Sequence, residues 1–461
     1  MVTFTGQSDS TVGSDRTSTV TVPAVGAHPE SPTDNTTSAA SDRAIGRGNR
    51  CMRSACRVWA RSARVDSRTA RVSIMSTPDA PLTGILVADF SRVLAGPLAT
   101  MTLADLGARV IKVERPDVGD DTRSWGPPFS ATGSTYFESV NRNKESVCLD
   151  LTDPHDLHLA RELIARCDVV VENFKPGGME KLGLGYDIAR AANPGVVYAS
   201  ISGFGSASGR ELLGYDFVVQ ALGGLMSITG EADGAPVKAG VALVDVLTAK
   251  DAVAGILAAL VHRQSTGTGA RLELNLLSSL QGSLANQAQA YLGTGMVPGR
   301  LGNTHPSIAP YETLECSDGP IAVACGNDGQ FGRLAAVLGA PQLADDPRFL
   351  DNSLRVANRV TLVPLLEERL RQRGAAEWQR RLTEVGVPAG RVGTIADGLE
   401  LASSLGLAPT IEVFDSSGVA VARQVRHPIT WNPPITRRNS APPLLGEQDA
   451  AVREWLAKPV S

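Results

Sequence analysis

Short apolar runs that alternate with helical segments are the feature that most constrains this chain. Four runs have the length and composition of buried strands. They are residues 85–90, 109–114, 168–172 and 196–201. Helical spacing occurs at residues 98–106, after a Gly96-Pro97 pair expected to break the chain, and again at residues 156–167. Because strands alternating with helices favour a parallel sheet, the predicted fold class is α/β, with a Rossmann-like large domain.

Charge, hydropathy and missing motifs exclude several function classes. The formal net charge of −4 gives no basic bias toward nucleic acid, and the longest apolar run, 252–261, is too short to span a bilayer. We therefore expect the protein to bind neither nucleic acid nor a membrane. No GxGxxG opens a helix after the first predicted strand, so a nicotinamide cofactor is not supported. The six cysteines form no CxxC pair or metal-ligand spacing, which predicts no metal site and reduced cytoplasmic thiols.

The first 77 residues differ in composition from the rest of the chain. Residues 1–45 are rich in Ser, Thr, Gly and Asp, and such a segment cannot bury enough surface to fold. Residues 47–71 carry eight arginines, but interspersed acidic residues are unlike a transit peptide. We expect a disordered extension, or a start assigned too early with Met75 as the working start. An N-terminal regulatory arm is the alternative.

Asp245 stands where an apolar stretch meets the start of a predicted helix. Residues 241–244 have the composition of a strand, and helical spacing follows them. As a helix cap, the carboxylate would accept a backbone N–H and stabilise the helix by about 1 kcal/mol. As a nucleophile, it would be kept ionised by the helix N-terminus and partly stripped of water. Such a carboxylate can attack a thioester carbonyl.

Several longer motifs carry a resemblance to a known family. They are ADFSRVLAGP (88–97), GARVIKVERPDVGDDTR (107–123), VNRNKESVCLDL (140–151), VENFKPGGMEKLGLGY (171–186), SISGFG (200–205), the block 214–280 and PPLLGE (442–447). From about Pro81 to Trp455, the chain resembles the family III CoA-transferases, whose superfamily includes the 2-methylacyl-CoA racemases. The subgroup acting on succinate and hydroxymethylglutarate is the most similar. That likeness rests on GDDTRSWGPPF (119–129), STYFESVNRNK (134–144) and GNTHPSIAPY (302–311).

The resemblance implies a ring-shaped chain that forms an interlocked homodimer. A large Rossmann-like CoA-binding domain is expected at 78–285, completed by 410–461. A smaller α/β domain is expected at 300–400, with linkers between the two. Helical segments at 360–373 and 376–385 agree with this arrangement.

The resemblance also assigns roles at the active site. The family's covalent aspartate falls at Asp245, and its expected neighbours are Tyr215, Gly223, Gly224 and His305. Racemases carry a histidine where this chain has Tyr215, so transfer is favoured over racemisation, which needs two acid/base groups. Developing oxyanions need preorganised donors. The glycine pair or the loop near Gly302 is a candidate source, a plain turn being the alternative for the pair.

CoA is implied as a substrate, with no permanently bound cofactor. Its expected contacts are Arg92, Val93, Ala95, Arg115, Leu149, Leu151, Asn173, Phe174 and Lys181. In such a site cations meet phosphates and apolar side chains flank the adenine. Lys181 replaces an arginine of the family, which removes a bidentate fork.

The sequence thus predicts an acyl-CoA:carboxylate CoA-transferase that acts through an aspartyl-CoA thioester. Succinyl-CoA is the expected donor, and glutarate or hydroxymethylglutarate the expected type of acceptor. A cation must then meet the distal carboxylate, and Arg92, Lys238 and Arg300 are the candidates. A 2-methylacyl-CoA racemase or epimerase and an inactive CoA-binding protein are the alternatives.

Overall fold

A parallel sheet forms the centre of the first part of the chain. The computed structural model describes residues 79–436 and 438–459, so the predictions for residues 1–77 lie outside the described part. The sheet's strands are β1 (Leu86–Asp89), β2 (Arg109–Glu114), β3 (Lys144–Cys148), β4 (Val169–Glu172), β5 (Val197–Ser202) and β6 (Ala270–Asn275). Their order is β3-β2-β1-β4-β5-β6, and all pairs are parallel. This is a Rossmann-type order, with its switch point between β1 and β4.

Helices cover both faces of this sheet. They are α1 (Ala95–Asp105), α2 (Thr135–Glu138), α3 (Pro154–Arg166), α4 (Gly178–Lys181), α5 (Tyr186–Ala192), α6 (Asp216–Leu222), α7 (Leu243–Thr266), α8 (Leu276–Ser283) and α9 (Ala285–Thr294). Successive strand residues enter opposite cores: Val87 packs with α1 and α7, and Ala88 packs with α3. Because both faces are buried, the interior strands read as continuous apolar runs.

Two local predictions in this region are wrong. Helix α1 begins at Ala95 rather than Leu98, because a proline is tolerated in the first helical turn, where its missing N–H has no partner to lose. Residues 241–244 do not form a strand. The last two of them already belong to α7, which begins at Leu243.

Another core, separate from the two on the faces of the parallel sheet, packs against a small antiparallel sheet. Its strands are β7 (Tyr311–Glu315), β8 (Pro320–Ala324) and β9 (Ala389–Arg391), in the order β7-β8-β9. The helices that follow β8 are α10 (Asp328–Val337), α11 (Asn352–Ala357), α12 (Arg359–Leu370), α13 (Ala375–Glu384) and, after β9, α14 (Ile395–Ser404). Buried apolar residues of this region form a cluster of their own. We interpret this cluster as the core of the predicted smaller domain.

The C-terminal part returns to the first sheet. After the hairpin of β10 (Thr410–Phe414) and β11 (Ala420–Val425), helix α15 (Asp449–Ala457) packs against α3 and β3. Val452 and Leu456 are buried in the same core as α3, and Arg453 forms an ion pair with Asp156 at 2.6 Å. The C-terminal segment therefore contributes to the core on the α3 face of the parallel sheet. Among the described residues, no helix has the length and apolar character needed to cross a membrane.

Candidate active site

The loops after β1 and β4 meet at the switch point of the sheet. The backbone N–H of Arg92 donates to Asn173 Oδ1 at 2.9 Å, and Asn173 Nδ2 donates back to the Arg92 carbonyl at 2.7 Å. Val93 has a left-handed φ of 71°, and its N–H donates to the Asp120 carboxylate at 3.3 Å. Since ligands of open α/β sheets bind outside the strand ends at such a point, these loops mark a candidate site.

A cavity of about 580 Å³ opens beside these loops. Five of the predicted CoA contacts line it, namely Arg92, Arg115, Leu149, Leu151 and Phe174. The Arg92 guanidinium lies over the Phe174 ring, 5.8 Å from its centroid. The two arginines and the apolar side chains of this lining suit a ligand with anionic groups and a flat ring; the lining also includes the carboxylates of Glu114, Asp117, Asp120 and Asp150. Of the other predicted contacts, Val93 and Asn173 lie in the two loops that the Arg92–Asn173 hydrogen bonds join. Ala95 begins α1, and Lys181 directly precedes Leu182, which lines the cavity.

A buried ion pair between Lys112 and Asp120 lies in the lining of this cavity. Lys112 is fully buried, and its Nζ donates to Asp120 at 2.9 Å and to the Ser91 carbonyl at 2.8 Å. Burial by itself would raise the pKa of Asp120, but the charge and hydrogen bond of Lys112 hold it below its ordinary value. Asp120 therefore stays ionised and ties β2 to the loop that carries Arg92 and Val93.

Asp245 lies in the first turn of α7 but does not cap it. The residue at the cap position is Ala242, and the carboxylate that meets the helix end belongs to Asp216, at the start of α6. Asp216 Oδ1 accepts the N–H groups of Val244 at 2.7 Å and Asp245 at 3.3 Å. The cap interpretation of Asp245 is therefore wrong, and its carboxylate is left for other chemistry.

The carboxyl group of Asp245 is harder to ionise than the sequence suggests. Burial, reinforced by the charge of Asp216, raises the pKa of Asp245 to about 7. We expected the helix N-terminus to keep this carboxylate ionised. Two of the helix's first amides are instead bound to Asp216, whose negative charge opposes a second one nearby. Near neutral pH the group is thus divided between its two forms.

Three residues around Asp245 were missed in the sequence. Asp216 carries the capping role, and Gln220 holds it, donating to Asp216 Oδ2 at 2.6 Å while accepting the Ala239 N–H at 2.9 Å. Burial, with smaller contributions from Asp245 and Asp216, raises the pKa of Tyr136 to about 12. Its phenol is neutral and packs edge-on against Trp125 at 5.1 Å. The sequence did carry one signal for this pair: Asp216 directly follows Tyr215, and Gln220 lies four residues later, a spacing at which helical side chains can hydrogen-bond.

Comparisons with known proteins decide the family. The model of CoA-transferase family III matches residues 82–449. The chain belongs to this family. A succinate–glutarate CoA-transferase of Agrobacterium fabrum is 43% identical over 386 residues, covering 81% of this chain and 94% of that protein. A mouse succinyl-CoA:glutarate CoA-transferase is 44% identical over 318 residues, covering 69% and 73%.

A solved structure gives the same result. A CaiB/BaiF family protein from Brucella suis has a TM-score of 0.74 and 45% identity, covering 82% of this chain and all of that one. The predicted family and α/β fold are thus confirmed. The enzyme is a CoA-transferase, and its substrates are an acyl-CoA and a carboxylic acid.

The glycines proposed as oxyanion donors have structural roles. The Gly223 N–H donates to Val219 O at 2.8 Å and closes α6, and a Cβ there would lie 2.5 Å from Leu280. Gly224 follows in the left-handed region, with φ of 95°. The Gly302 N–H is bound to Gly230 O at 2.9 Å. The amides of Gly223 and Gly302 are therefore engaged, and a role for Gly224 stays a prediction.

His305 lies in the loop before strand β7, and local contacts hold this loop. Its Nδ1 accepts the Ser307 N–H at 3.0 Å, and its ring lies 5.0 Å from that of Tyr311. Arg359 donates to the carbonyls of His305 and Ile308. These contacts fix the loop, but they do not link His305 to Asp245. Its role as an active-site neighbour stays a prediction.

Proposed function

We propose that the enzyme transfers CoA from succinyl-CoA to a short dicarboxylate of the glutarate or hydroxymethylglutarate type. The names of the two relatives support succinyl-CoA as the donor and glutarate as the acceptor. The observation that carries the mechanism is the position of Asp245. Its carboxyl group lies in the first turn of α7, beside another carboxylate that has taken up the helix amides.

The chemistry is a relay of acyl groups through Asp245. Its carboxylate attacks the succinyl carbonyl, which forms a mixed anhydride and releases CoA thiolate. The thiolate attacks the aspartyl carbonyl, forming an aspartyl-CoA thioester and releasing succinate. The acceptor carboxylate attacks this thioester, giving a second anhydride and thiolate. The thiolate then attacks the acceptor's acyl carbon, which yields the new acyl-CoA and restores the carboxylate of Asp245.

Desolvation makes Asp245 suited to this relay. Burial favours the neutral form and weakens the hydration of the ionised one, so the carboxylate is a stronger nucleophile when it forms. Asp216 cannot replace it, because both of its oxygens already accept hydrogen bonds. Transfer is favoured over racemisation because Tyr215, the residue directly before α6, stands where the racemases carry a histidine.

The distal carboxylate of the acceptor needs a cation. Arg300 is engaged, since it donates to the carbonyls of Glu231 and Gly234, and Arg92 lines the cavity proposed for CoA. Lys238 is exposed, and its Nζ donates to the carbonyl of its neighbour Ala239. The Ala239 N–H is joined through Gln220 to Asp216, which brings this segment to the start of α7. Lys238 is therefore our choice for the distal contact.

An acceptor panel tests this function. The enzyme is incubated with succinyl-CoA and each of glutarate, hydroxymethylglutarate, oxalate and butyrate, and new thioesters are measured by mass spectrometry. We expect glutarate or hydroxymethylglutarate to give the highest kcat/KM, and Lys238→Met to lower it for these acids while sparing butyrate. Preference for a monocarboxylate would overturn the choice of acceptor. Exchange of the α-proton in deuterated water without acyl exchange would favour the racemase.

The active enzyme is proposed to be a homodimer. Large apolar side chains on and around α6 and α9 are more than half exposed in the single chain, including Leu213, Phe217, Leu222, Leu292, Met296 and Val297. An exposed apolar surface of this kind is typical of a protein–protein contact. A second copy of the chain, covering these residues, accounts for it.

A further inference from the structure

Asp121 bridges the two arginines of the cavity. Its Oδ1 accepts from Arg115 Nη2 at 2.6 Å, and its Oδ2 accepts from Arg92 Nη1 at 3.2 Å. Both arginines line the cavity proposed for CoA, and Asp121 itself is not among its lining residues. One carboxylate therefore fixes the spacing of two guanidinium groups on the cavity wall.

The turn that carries Asp121 is anchored by buried bonds. The neighbouring N–H of Asp120 donates to Glu114 Oε2 at 3.0 Å, and the Asp120 carboxylate accepts the Thr122 N–H at 3.0 Å. Arg123 donates from Nε to the same Glu114 oxygen at 2.8 Å. The hydrogen bonds of the residues on both sides of Asp121 hold its backbone in place, and this restricts the position of its carboxylate.

Each arginine also has a second contact that limits its rotation. Arg115 donates to the Gly119 carbonyl from Nε at 3.3 Å and from Nη2 at 3.2 Å, and Arg92 lies over the Phe174 ring. A guanidinium has five N–H donors, so both groups keep donors for a ligand. Two guanidinium groups held on one wall of the cavity can each donate parallel hydrogen bonds, and this geometry matches the oxygens of phosphate groups.

We propose that Asp121 is a positioning residue that holds Arg92 and Arg115 for the phosphates of the acyl-CoA. This rests on the proposed function, because it takes the cavity to be the CoA site. Asp121 is itself an anion, but it is neutralised by two cations, which leaves the group attractive to phosphate. Its orienting effect therefore outweighs its repulsion, and losing it weakens the binding of nucleotide-bearing thioesters alone.

Comparing two thioesters separates positioning from a purely structural role. Succinyl-CoA carries the phosphates, whereas succinyl-pantetheine lacks them. We expect Asp121→Asn to raise the KM for succinyl-CoA about fivefold, as for a partly exposed ion pair. The kcat, and the kcat/KM for succinyl-pantetheine, should be unchanged, and Asp121→Glu should recover most of the loss. Glu145→Gln, which breaks the comparably exposed pair with Arg109, should change none of these values.

Calorimetric binding of CoA and of pantetheine keeps the test independent of turnover. Weaker CoA binding by Asp121→Asn, with pantetheine binding unchanged, supports the proposal even if the acceptor panel contradicts the proposed substrates. Equal losses for both ligands would show a structural role and overturn it. Unchanged or tighter CoA binding would overturn it too, the latter by showing that the carboxylate competes with phosphate.

Discussion

Asp216 and Asp245 carry the same functional group, and their surroundings give them different roles. Asp216 accepts backbone and side-chain hydrogen bonds through both oxygens and caps helix α7. Burial and the neighbouring charge of Asp216 raise the pKa of Asp245. The family resemblance predicted Asp245 as the nucleophile, and that role stays a prediction. The sequence did not reveal that a residue 29 positions earlier caps the helix, because the pairing depends on how α6 packs against α7.

The activity should depend on pH through Asp245. Only the ionised carboxylate is a nucleophile, so kcat/KM for succinyl-CoA should fall tenfold per pH unit below about 7 and level off above it. Asp216→Asn keeps an oxygen for the helix amides but removes the charge, so the midpoint should move to lower pH. A pH–rate profile of both proteins checks this. A kcat/KM that does not change between about pH 5.5 and about pH 8 would contradict the proposed titration of Asp245.

The same carboxylate should lower the stability of the native enzyme at high pH. Its pKa is 3.8 when unperturbed and about 7 in the folded chain, so the folded state loses stability as pH rises between these values. Asp245→Asn should be inactive, because it lacks the nucleophilic carboxylate. It should also be more stable than the native enzyme at pH 8, by about 2 kcal/mol when partial solvation of the carboxyl group is allowed for. Chemical unfolding at pH 8 and pH 4 measures this. A gain equal at both pH values would have another origin.

At the scale of elements, the apolar runs predicted the interior of the sheet and missed its edges. Strands β1, β2, β4 and β5 are buried on both faces and were found. The edge strands β3 (KESVC) and β6 (ARLELN) were not. An edge strand keeps partial contact with solvent, so its pattern is weaker.

Helix α1 packs against the β1 loop through a glycine. A Cβ at Gly96 would lie 2.2 Å from the Ser91 Cβ. Gly96→Ala should displace the loop of Arg92, lower the unfolding free energy by about 2 kcal/mol and raise the KM for succinyl-CoA. Gly332→Ala, in the interior of α10 with open space around it, is the control and should be stabilising by up to about 1 kcal/mol. Denaturant unfolding and kinetics compare the two, and equal stabilities would contradict this packing.

At the scale of the whole molecule, the proposed dimer has a direct test. Light scattering on the enzyme as it elutes from a size-exclusion column should give the mass of two chains, because a single chain leaves the apolar side chains around α6 and α9 in water. A single-chain mass in an active preparation would contradict the dimer.

Contacts between distant parts of the chain were beyond sequence reasoning from local patterns. The Ser146 hydroxyl accepts the Gly446 N–H at 3.0 Å, and Gln448 accepts the Ser146 N–H at 2.7 Å. These bonds join residues about 300 positions apart, and neither side carries a period or motif that points to the other. The resemblance supplied the expectation that the C-terminal segment completes the first domain. Residue spacing alone did not.

Trapping the intermediate tests the central claim most directly. The enzyme is incubated with succinyl-CoA, quenched with hydroxylamine, digested and analysed by mass spectrometry. An aspartyl-CoA thioester at Asp245 should be converted to a hydroxamate on that side chain, and Asp216 should stay unmodified. Modification at another residue, or an unmodified Asp245 in an enzyme that is turning over, would contradict the account.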